Sequence, residues 1–433
     1  MAESPGKPAH GGRLRMLAVG AHPDDIELGA GGLVAKAHEQ GHRVAFLILT
    51  DEGAHGPQRR REAVRAAGAL GVAPGDVHFA GFPDGRLRAD GPSVGRVRQL
   101  VRRYGIRPDV VVTHTQADSH NDHAEAGRLA HAAFRDTAYL HFSIHISAES
   151  DRFSPRVFVR LTPERLRAKS RALACYGSQA RRIGRLELAK YEEKLGQSAR
   201  LGRAEGFEVA VQYGTPDALL RTVGLSDSAF HRFWQPVVAD GTVTLLYGVP
   251  DRGDRESLVH RHAAQDELRR AFIDCWPPPY PLREQFADTD EALTVAAAGS
   301  VVTTCGPEDN RIAARLRASG RLVWAAETDG AGRGGLRDLR TGRLLRGGAR
   351  RHLGCVARIE NPFRRGGYAV VAGGATEAAT RAGLGLLADP GRCPGLLDVF
   401  DREPAAHVAY AVDPVTGGLT LVEVRHGSDT PPL

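Results

Sequence analysis

His22, Asp24 and Asp25 fall within the run His22-Pro23-Asp24-Asp25. Asp118, His120, Asp122 and His123 fall within Asp118-Ser119-His120-Asn121-Asp122-His123. Hydrolytic zinc usually takes three protein ligands from histidine and carboxylate and keeps one position for water. His22 and Asp25, three apart in one turn, can converge on a single ion, with His123 as the third ligand. Asp24 lies beside the ligands without being one, which suits a general base for the water. His120, three residues before His123, can stand opposite the ion, stabilise an oxyanion and protonate a leaving amine. Asp122 is expected to hold that imidazole in its charged form.

Each cluster follows an apolar run. Met16-Leu17-Ala18-Val19-Gly20-Ala21 leads into the first and Val110-Val111-Val112-Thr113-His114 into the second. Both runs read as buried strands, and a ligand site in an open α/β sheet lies at such strand ends. From 13 to 213 strands and helices alternate, which argues a parallel sheet covered on both faces. Strands are expected at 14–19, 43–49, 77–80, 110–113 and 207–211. Helices are expected at 32–40, 58–70, 92–104, 124–134, 161–174 and 181–201.

The residues around the first cluster, Ala21-His22-Pro23-Asp24-Asp25-Ile26-Glu27-Leu28-Gly29-Ala30-Gly31-Gly32, resemble the signature of the PIG-L/LmbE-like zinc N-deacetylases. His120-Asn121-Asp122-His123 resembles their second motif, with Asn121 in place of the usual proline. The resemblance covers about 13–213. It implies a Rossmann-like, mostly parallel α/β deacetylase domain that removes acetyl or related acyl groups from amino sugars such as N-acetylglucosamine conjugates. It also implies His22, Asp25 and His123 as metal ligands, Asp24 as base and His120 as acid and electrostatic partner, in agreement with the spacing. The ion implied is Zn2+, with Fe2+ as the alternative. Arg59 and Glu62 resemble the family's Arg-x-x-Glu helix, whose arginine contacts substrate. Arg59 lies in the run Arg59-Arg60-Arg61, and the sequence favours it only slightly over its neighbours. Asp84, in Gly81-Phe82-Pro83-Asp84-Gly85, resembles the acid that binds sugar hydroxyls, though a plain turn residue is the other reading. Lys169, Leu173 and Ser178-Gln179 resemble a late helical motif. Asp118 stands where some members carry a tyrosine that assists the oxyanion, and is placed with the substrate contacts. Tyr176 replaces a frequent histidine, and Thr50-Asp51-Glu52-Gly53 is an altered form of a family loop.

At 433 residues, the chain is too long for one ordinary core. Beyond a disordered tail (1–12) and the deacetylase domain (13–213), an extension and linker are expected at 214–290. A second, smaller α/β domain of unknown function is expected at 291–433. There Gly330-Ala331-Gly332-Arg333-Gly334-Gly335 reads as a flexible loop rather than a phosphate cradle. Gly373-Gly374, before a helix at 376–387, suits either an anion or tight packing. The net charge of +7 is scattered arginine rather than a basic block, so nucleic acid is not an expected partner. The five cysteines form no CxxC pair and fit reduced thiols. With no signal-peptide pattern and no apolar stretch near the ~18 residues of a membrane span, the expected compartment is cytoplasmic. A homo-oligomer is compatible with the sequence. The expected partner is a small N-acyl amino sugar or its conjugate. Two further readings stand beside it. One is a thiol-conjugate amidase or natural-product tailoring deacylase, and the other a non-catalytic metal-binding sensor.

Overall fold

The computed structural model describes residues 13–51, 53–144, 153–211, 221–239, 241–247, 255–276, 281–286, 291–304, 310–328 and 334–426. They form two compact units, 1–228 and 229–433. The expected tail 1–12 lies outside the described residues, as do Glu52 and 330–333 of the glycine-rich loop.

The first unit is built on strands β1 (Arg15–Gly20), β2 (Arg43–Asp51), β3 (Val77–Pro83), β4 (Val110–His114), β5 (Ala138–Phe142), β6 (Val157–Arg160) and β7 (Ala204–Val211). Their order is β3-β2-β1-β4-β5-β7-β6. β3, β2, β1, β4 and β5 run parallel, while β7 lies antiparallel to both β5 and β6. The chain moves outward from β1 through β2 and β3, then returns to the other side of β1 as β4. The order therefore reverses between β1 and β4, and a crevice opens at their carboxyl ends. The apolar sides of the central strands pack with those of α3 (Gly91–Arg103) and α4 (Asn121–Ala133) around Leu17, Val19, Leu47, Val97, Val111 and Leu129.

Helix α1 (Asp25–Glu39) begins seven residues earlier than expected, and thirteen of its fifteen residues are buried. The glycines that read as a turn are instead points of close approach. A Cβ on Gly29 would overlap the Phe142 ring, one on Gly32 would overlap Leu161, and one on Gly31 would sit 3.1 Å from Lys169 Cγ. Lys169, on α5 (Pro163–Ala174), donates to Leu28 O at 2.8 Å and Glu205 Oε1 at 2.6 Å, and lies 2.8 Å from Glu192 Oε1. Glu205 also accepts from the backbone N–H of Gly32 and Leu33, at 2.7 and 2.8 Å. Lys169 is thus a buried tie between α1, α5 and β7. The single helix expected at 181–201 is broken, Ala180–Ile183 and Leu188–Ser198 being separated by a turn with Glu187 at φ 44°. β5 and β6 were not expected.

The second unit begins earlier than the expected 291, because the segment read as linker supplies sheet strands. The strands are β8 (Val243–Tyr247), β9 (Leu282–Phe286), β10 (Ser300–Thr304), β11 (Trp324–Thr328), β12 (Gly334–Asp338), β13 (Leu344–Arg346), β14 (His352–Glu360), β15 (Tyr368–Gly374), β16 (Ala406–Val412) and β17 (Leu419–His426). Seven of these form a sheet in the order β17-β16-β14-β15-β10-β8-β9, and β11-β12-β13 form a separate one. β15, β10, β8 and β9 are parallel. The helices Ala229–Val238 and Arg255–Cys275 lie in this unit too, joined by an aromatic cluster of Phe230, Trp234, Phe272 and Trp276. Arg358 is buried between the Phe233 and Phe400 rings and donates to the carbonyls of Pro404, Phe233 and Phe400. A Cβ on Gly374 would come within 2.6 Å of Ala379, so tight packing accounts for this glycine. No helix among the described residues is long and apolar enough to cross a membrane.

Candidate active site

The loop after β1 and the start of α1 carry the first cluster, and the loop from β4 into α4 carries the second. The reversal in strand order places them side by side. The ring centroids of His22 and His123 are 5.4 Å apart, those of His22 and His120 5.2 Å, and those of His120 and His123 4.3 Å. Asp25 lies between them, with Oδ2 3.4 Å from His22 Nδ1 and Oδ1 3.5 Å from His123 Nε2. His22, Asp25 and His123 are all buried.

The hydrogen bonds around these groups decide which atoms remain to bind an ion. Asp25 Oδ2 accepts from the His22 N–H at 2.7 Å and lies 3.1 Å from His114 Nε2, while Oδ1 makes no hydrogen bond among the described residues. His22 Nε2 is held by Asp84 Oδ1 at 2.9 Å, which leaves Nδ1 without a hydrogen bond and facing Asp25. His123 Nδ1 is held by Asp118 Oδ2 at 3.2 Å, which directs its Nε2 toward Asp25. An imidazole whose outer nitrogen donates to a carboxylate is fixed in the tautomer that ligates metal. The inner atoms His22 Nδ1 and Asp25 Oδ1 are buried polar atoms with no hydrogen-bond partner among the described residues. Two such atoms beside an imidazole nitrogen form a donor set that fits a divalent cation.

Electrostatics favour this state. Burial works against a charged Asp25, but His123, His114 and His22 hold its carboxyl well below the usual carboxylate range. Burial likewise opposes charge on His22, yet Asp25, Asp84 and Asp122 push its pKa up to about 9. A cation seated among the carboxylates would take the place of that proton.

Asp24 is buried, at φ 103°, the left-handed region that an L residue occupies at a cost of ~1–3 kcal/mol. Its Oδ2 accepts from Arg59 Nη2 at 3.2 Å, and Arg59 also donates to Pro23 O. Its Oδ1 has no hydrogen bond among the described residues and lies 3.7 Å from Arg182 Nη2. Burial, and then the charge of Asp25, push the Asp24 pKa up to about 6. That value suits a base near neutral pH.

Three expectations need correction. Asp122 is not hydrogen-bonded to His120, and although its charge favours the protonated ring, burial and the charges of His123 and His22 lower the His120 pKa. Asp122 Oδ2 accepts from Gly85 N–H at 2.7 Å and its Oδ1 from Leu87 N–H at 3.3 Å, so it pins the loop after β3. Asp118 is not placed to touch substrate, since its nearly covered carboxylate is spent on His123 and on the His120 N–H at 2.8 Å. Arg59, though it is the arginine of its run that faces the site, is only 1% exposed and is bound to Pro23 and Asp24. A substrate has no free surface of it to contact. Asp84, whose side chain is half exposed, reaches His22 through one oxygen. His120 is exposed at the edge of the cluster.

Sequence reasoning missed His114. It ends β4, is fully buried, stacks on His123 with centroids 4.1 Å apart and braces Asp25. The signal was present, as a polar ring closing a buried strand beside the second cluster. It also missed Glu27, whose Oε1 accepts from Tyr176 Oη at 2.9 Å. Burial pushes the Glu27 carboxyl up to about 8. The Tyr176 ring lies under the Arg59 guanidinium, 5.5 Å from centroid to Cζ. The tyrosine in place of the histidine therefore supports the arginine that grips Asp24. Glu62 accepts from the N–H and hydroxyl of Ser178, which ties α2 (Gly56–Ala69) to the turn after α5.

The family model for PIG-L, the GlcNAc-PI de-N-acetylases, matches residues 17–134 and so spans both clusters. The chain carries a PIG-L family domain. Among curated proteins, the uncharacterized deacetylase YaiS of Escherichia coli (strain K12) is 29% identical to it over 167 residues, 37% of this chain and 89% of that protein. The 1D-myo-inositol 2-acetamido-2-deoxy-alpha-D-glucopyranoside deacetylase of Corynebacterium jeikeium (strain K411) is 30% identical over 168 residues, 28% of this chain and 50% of that one. A solved structure of a conserved protein from Thermus thermophilus shares 29% identity and covers 46% of this chain and 95% of its own, at a TM-score of 0.40. Residues 17–134 are thus similar to a de-N-acetylase domain, and the groups there that could hold a metal ion are His22 with His120 and His123, Asp25 with His114 and His123, and His22 with Asp84 and Asp122.

Proposed function

We propose that this chain is a zinc-dependent hydrolase that removes an acetyl or other acyl group from the nitrogen of an amino sugar or its conjugate. The observation that carries this reading is the pair of buried, unbonded ligand atoms, His22 Nδ1 and Asp25 Oδ1, beside His123 in a PIG-L domain. His22, Asp25 and His123 would hold the ion. When bound, it supplies Lewis-acid polarisation and lowers the pKa of water toward neutrality.

The protein's own groups then divide the work. Asp24, lifted to about 6 and fixed by Arg59, takes a proton from water as oxygen adds to the acyl carbon. His120, on the open side of the cluster, faces the developing oxyanion as a hydrogen-bond donor. Collapse breaks the C–N bond, and the proton taken from water leaves with the amine, giving a carboxylic acid and a free amino group. Asp84 has one carboxylate oxygen on His22, and its exposed side chain is placed to meet sugar hydroxyls.

The test is release of acetate from N-acetylglucosamine conjugates by the full chain with and without added Zn2+. Stoichiometric zinc binding without acyl release from any N-acyl amine would instead favour a metal-binding sensor. The relation to the Corynebacterium jeikeium deacetylase supports an amino-sugar conjugate as substrate.

A further inference from the structure

Beside the cluster lies a polar cleft of about 830 Å³, lined by Arg86, Arg88, Arg128, Asp90, Asn121 and Glu125 together with the backbone of 85–90. Its lining adjoins residues of the site along the chain. Gly85 follows Asp84, which touches His22, and Asn121 follows His120. The loop that forms one wall is built in a specific way. Asp122 and Glu125, successive carboxylates on one face of α4, accept the N–H of Gly85 and Leu87 and that of Ala89 at 2.7 Å. Every second N–H of the strand-like segment is thus tied to α4, and Leu87 is buried against it. The alternate side chains, Arg86 and Arg88, are exposed and line the cleft. Their guanidinium groups make no hydrogen bond to any described residue.

The carboxylates of the cleft are already engaged. Glu125 holds Ala89 N–H through Oε2 and Arg128 Nη1 at 2.5 Å through Oε1. Asp90 caps α3 by accepting from Ser93 N–H at 2.9 Å. Arg128 is thus neutralised by Glu125 and Arg88 feels the charge of Asp90, so the excess positive charge of the cleft comes from Arg86 and Arg88, whose guanidinium N–H groups have no hydrogen-bond acceptor among the described residues. A side chain held on a pinned backbone loses less freedom on binding, and arginine pairs with phosphate or carboxylate through two parallel hydrogen bonds.

We propose that this cleft binds an anionic oxygen group, a phosphate ester or a carboxylate, carried by the amino-sugar substrate. The inference rests on the deacetylase reading above and names the substrate class for that site. The amide to be cleaved sits at the His/Asp cluster, and the charged substituent is held by Arg86, Arg88 and Arg128. Part of the attraction is long-range, so it weakens as salt is raised.

The test compares acetate release by the zinc-loaded full chain from methyl N-acetylglucosaminide, N-acetylglucosamine 1-phosphate and carboxymethyl N-acetylglucosaminide. The expected kcat/KM is at least tenfold higher for one or both charged substrates, and which one tells phosphate from carboxylate. In the double variant Arg86→Ala/Arg88→Ala, which leaves the Glu125–Arg128 pair intact, the ratio of charged to neutral substrate falls at least fivefold. Equal kcat/KM for charged and neutral substrates, or a ratio unmoved in the variant, overturns the proposal. If no substrate releases acetate, the deacetylase reading falls, and the cleft is judged by calorimetry with glucosamine 1-phosphate and methyl glucosaminide. Tighter binding of the phosphate, lost in the double variant, supports the cleft. Equal affinity overturns it.

Discussion

Asp118 and Asp84 occupy equivalent stations, each holding the outer nitrogen of an imidazole whose inner nitrogen faces Asp25. Asp118→Asn should therefore weaken zinc binding about 10–100-fold while turnover at saturating metal falls much less. Competition with a chromophoric chelator reads the first quantity and assay with excess zinc the second. Asp24→Asn should behave in the opposite way, keeping zinc affinity and losing about 100–10,000-fold in turnover. The residue types at the site were legible because paired His/Asp clusters at two strand ends are rare without a ligand. The partners of Asp118, Asp122 and Arg59 were not, because a carboxylate or guanidinium takes whichever donor or acceptor the folded chain brings close. Asp122 sits two residues from His120 in sequence, yet its partners are the N–H groups of Gly85 and Leu87, more than thirty residues away.

Helix α1 carries the first cluster, and its position depends on small residues. Gly32→Val would drive a side chain into Leu161 and toward Glu205, and is expected to cost ~1–3 kcal/mol of stability, read by urea unfolding. Lys169→Met should cost more, ~3–5 kcal/mol, because Glu205 would remain buried without its cation and Glu192 would keep only Arg203. Alternating apolar runs made β1, β2 and β4 legible. The start of α1 was obscured because glycine signals a turn in sequence, whereas here it marks where a helix crosses closely over a sheet. β5 (Ala-Tyr-Leu-His-Phe) escaped because His141 interrupts its apolar run. In the fold that ring is buried, its pKa pushed down to about 3 by burial and then by His131, and it lies 2.7 Å from His131 Nε2.

At the scale of the whole chain, acid should affect the second unit. Burial lowers the His407 pKa to about 4 from 6.5, and the ring lies 2.9 Å from Arg321 O. His231 is lowered to about 4 in the same way. A depressed pKa means that the unfolded chain binds the proton more tightly. Stability from these rings is therefore present above pH 6.5 and is lost as pH falls toward 4. Urea midpoints of the isolated chain should drop across that window, and His407→Gln should flatten the drop. The first unit should respond to metal, with zinc at about 100 times its Kd adding ~2.7 kcal/mol to stability in thermal or urea unfolding. Loss of that gain in His22→Ala would tie it to the cluster. The second unit's strands at 243–247 and 282–286 were legible only in part, because the intervening polar and proline-rich segments gave no sign that the two belong to one sheet.

The strand order of the first unit also governs when the proposed cation could be loaded during synthesis. Because β4 must insert beside β1 before His123 reaches His22, a nascent chain shorter than about 120 residues holds only two of the three donors. Capture of the proposed ion would thus wait for β4 but could precede synthesis of the second unit, and it would report that the central pairing has been made in the correct register.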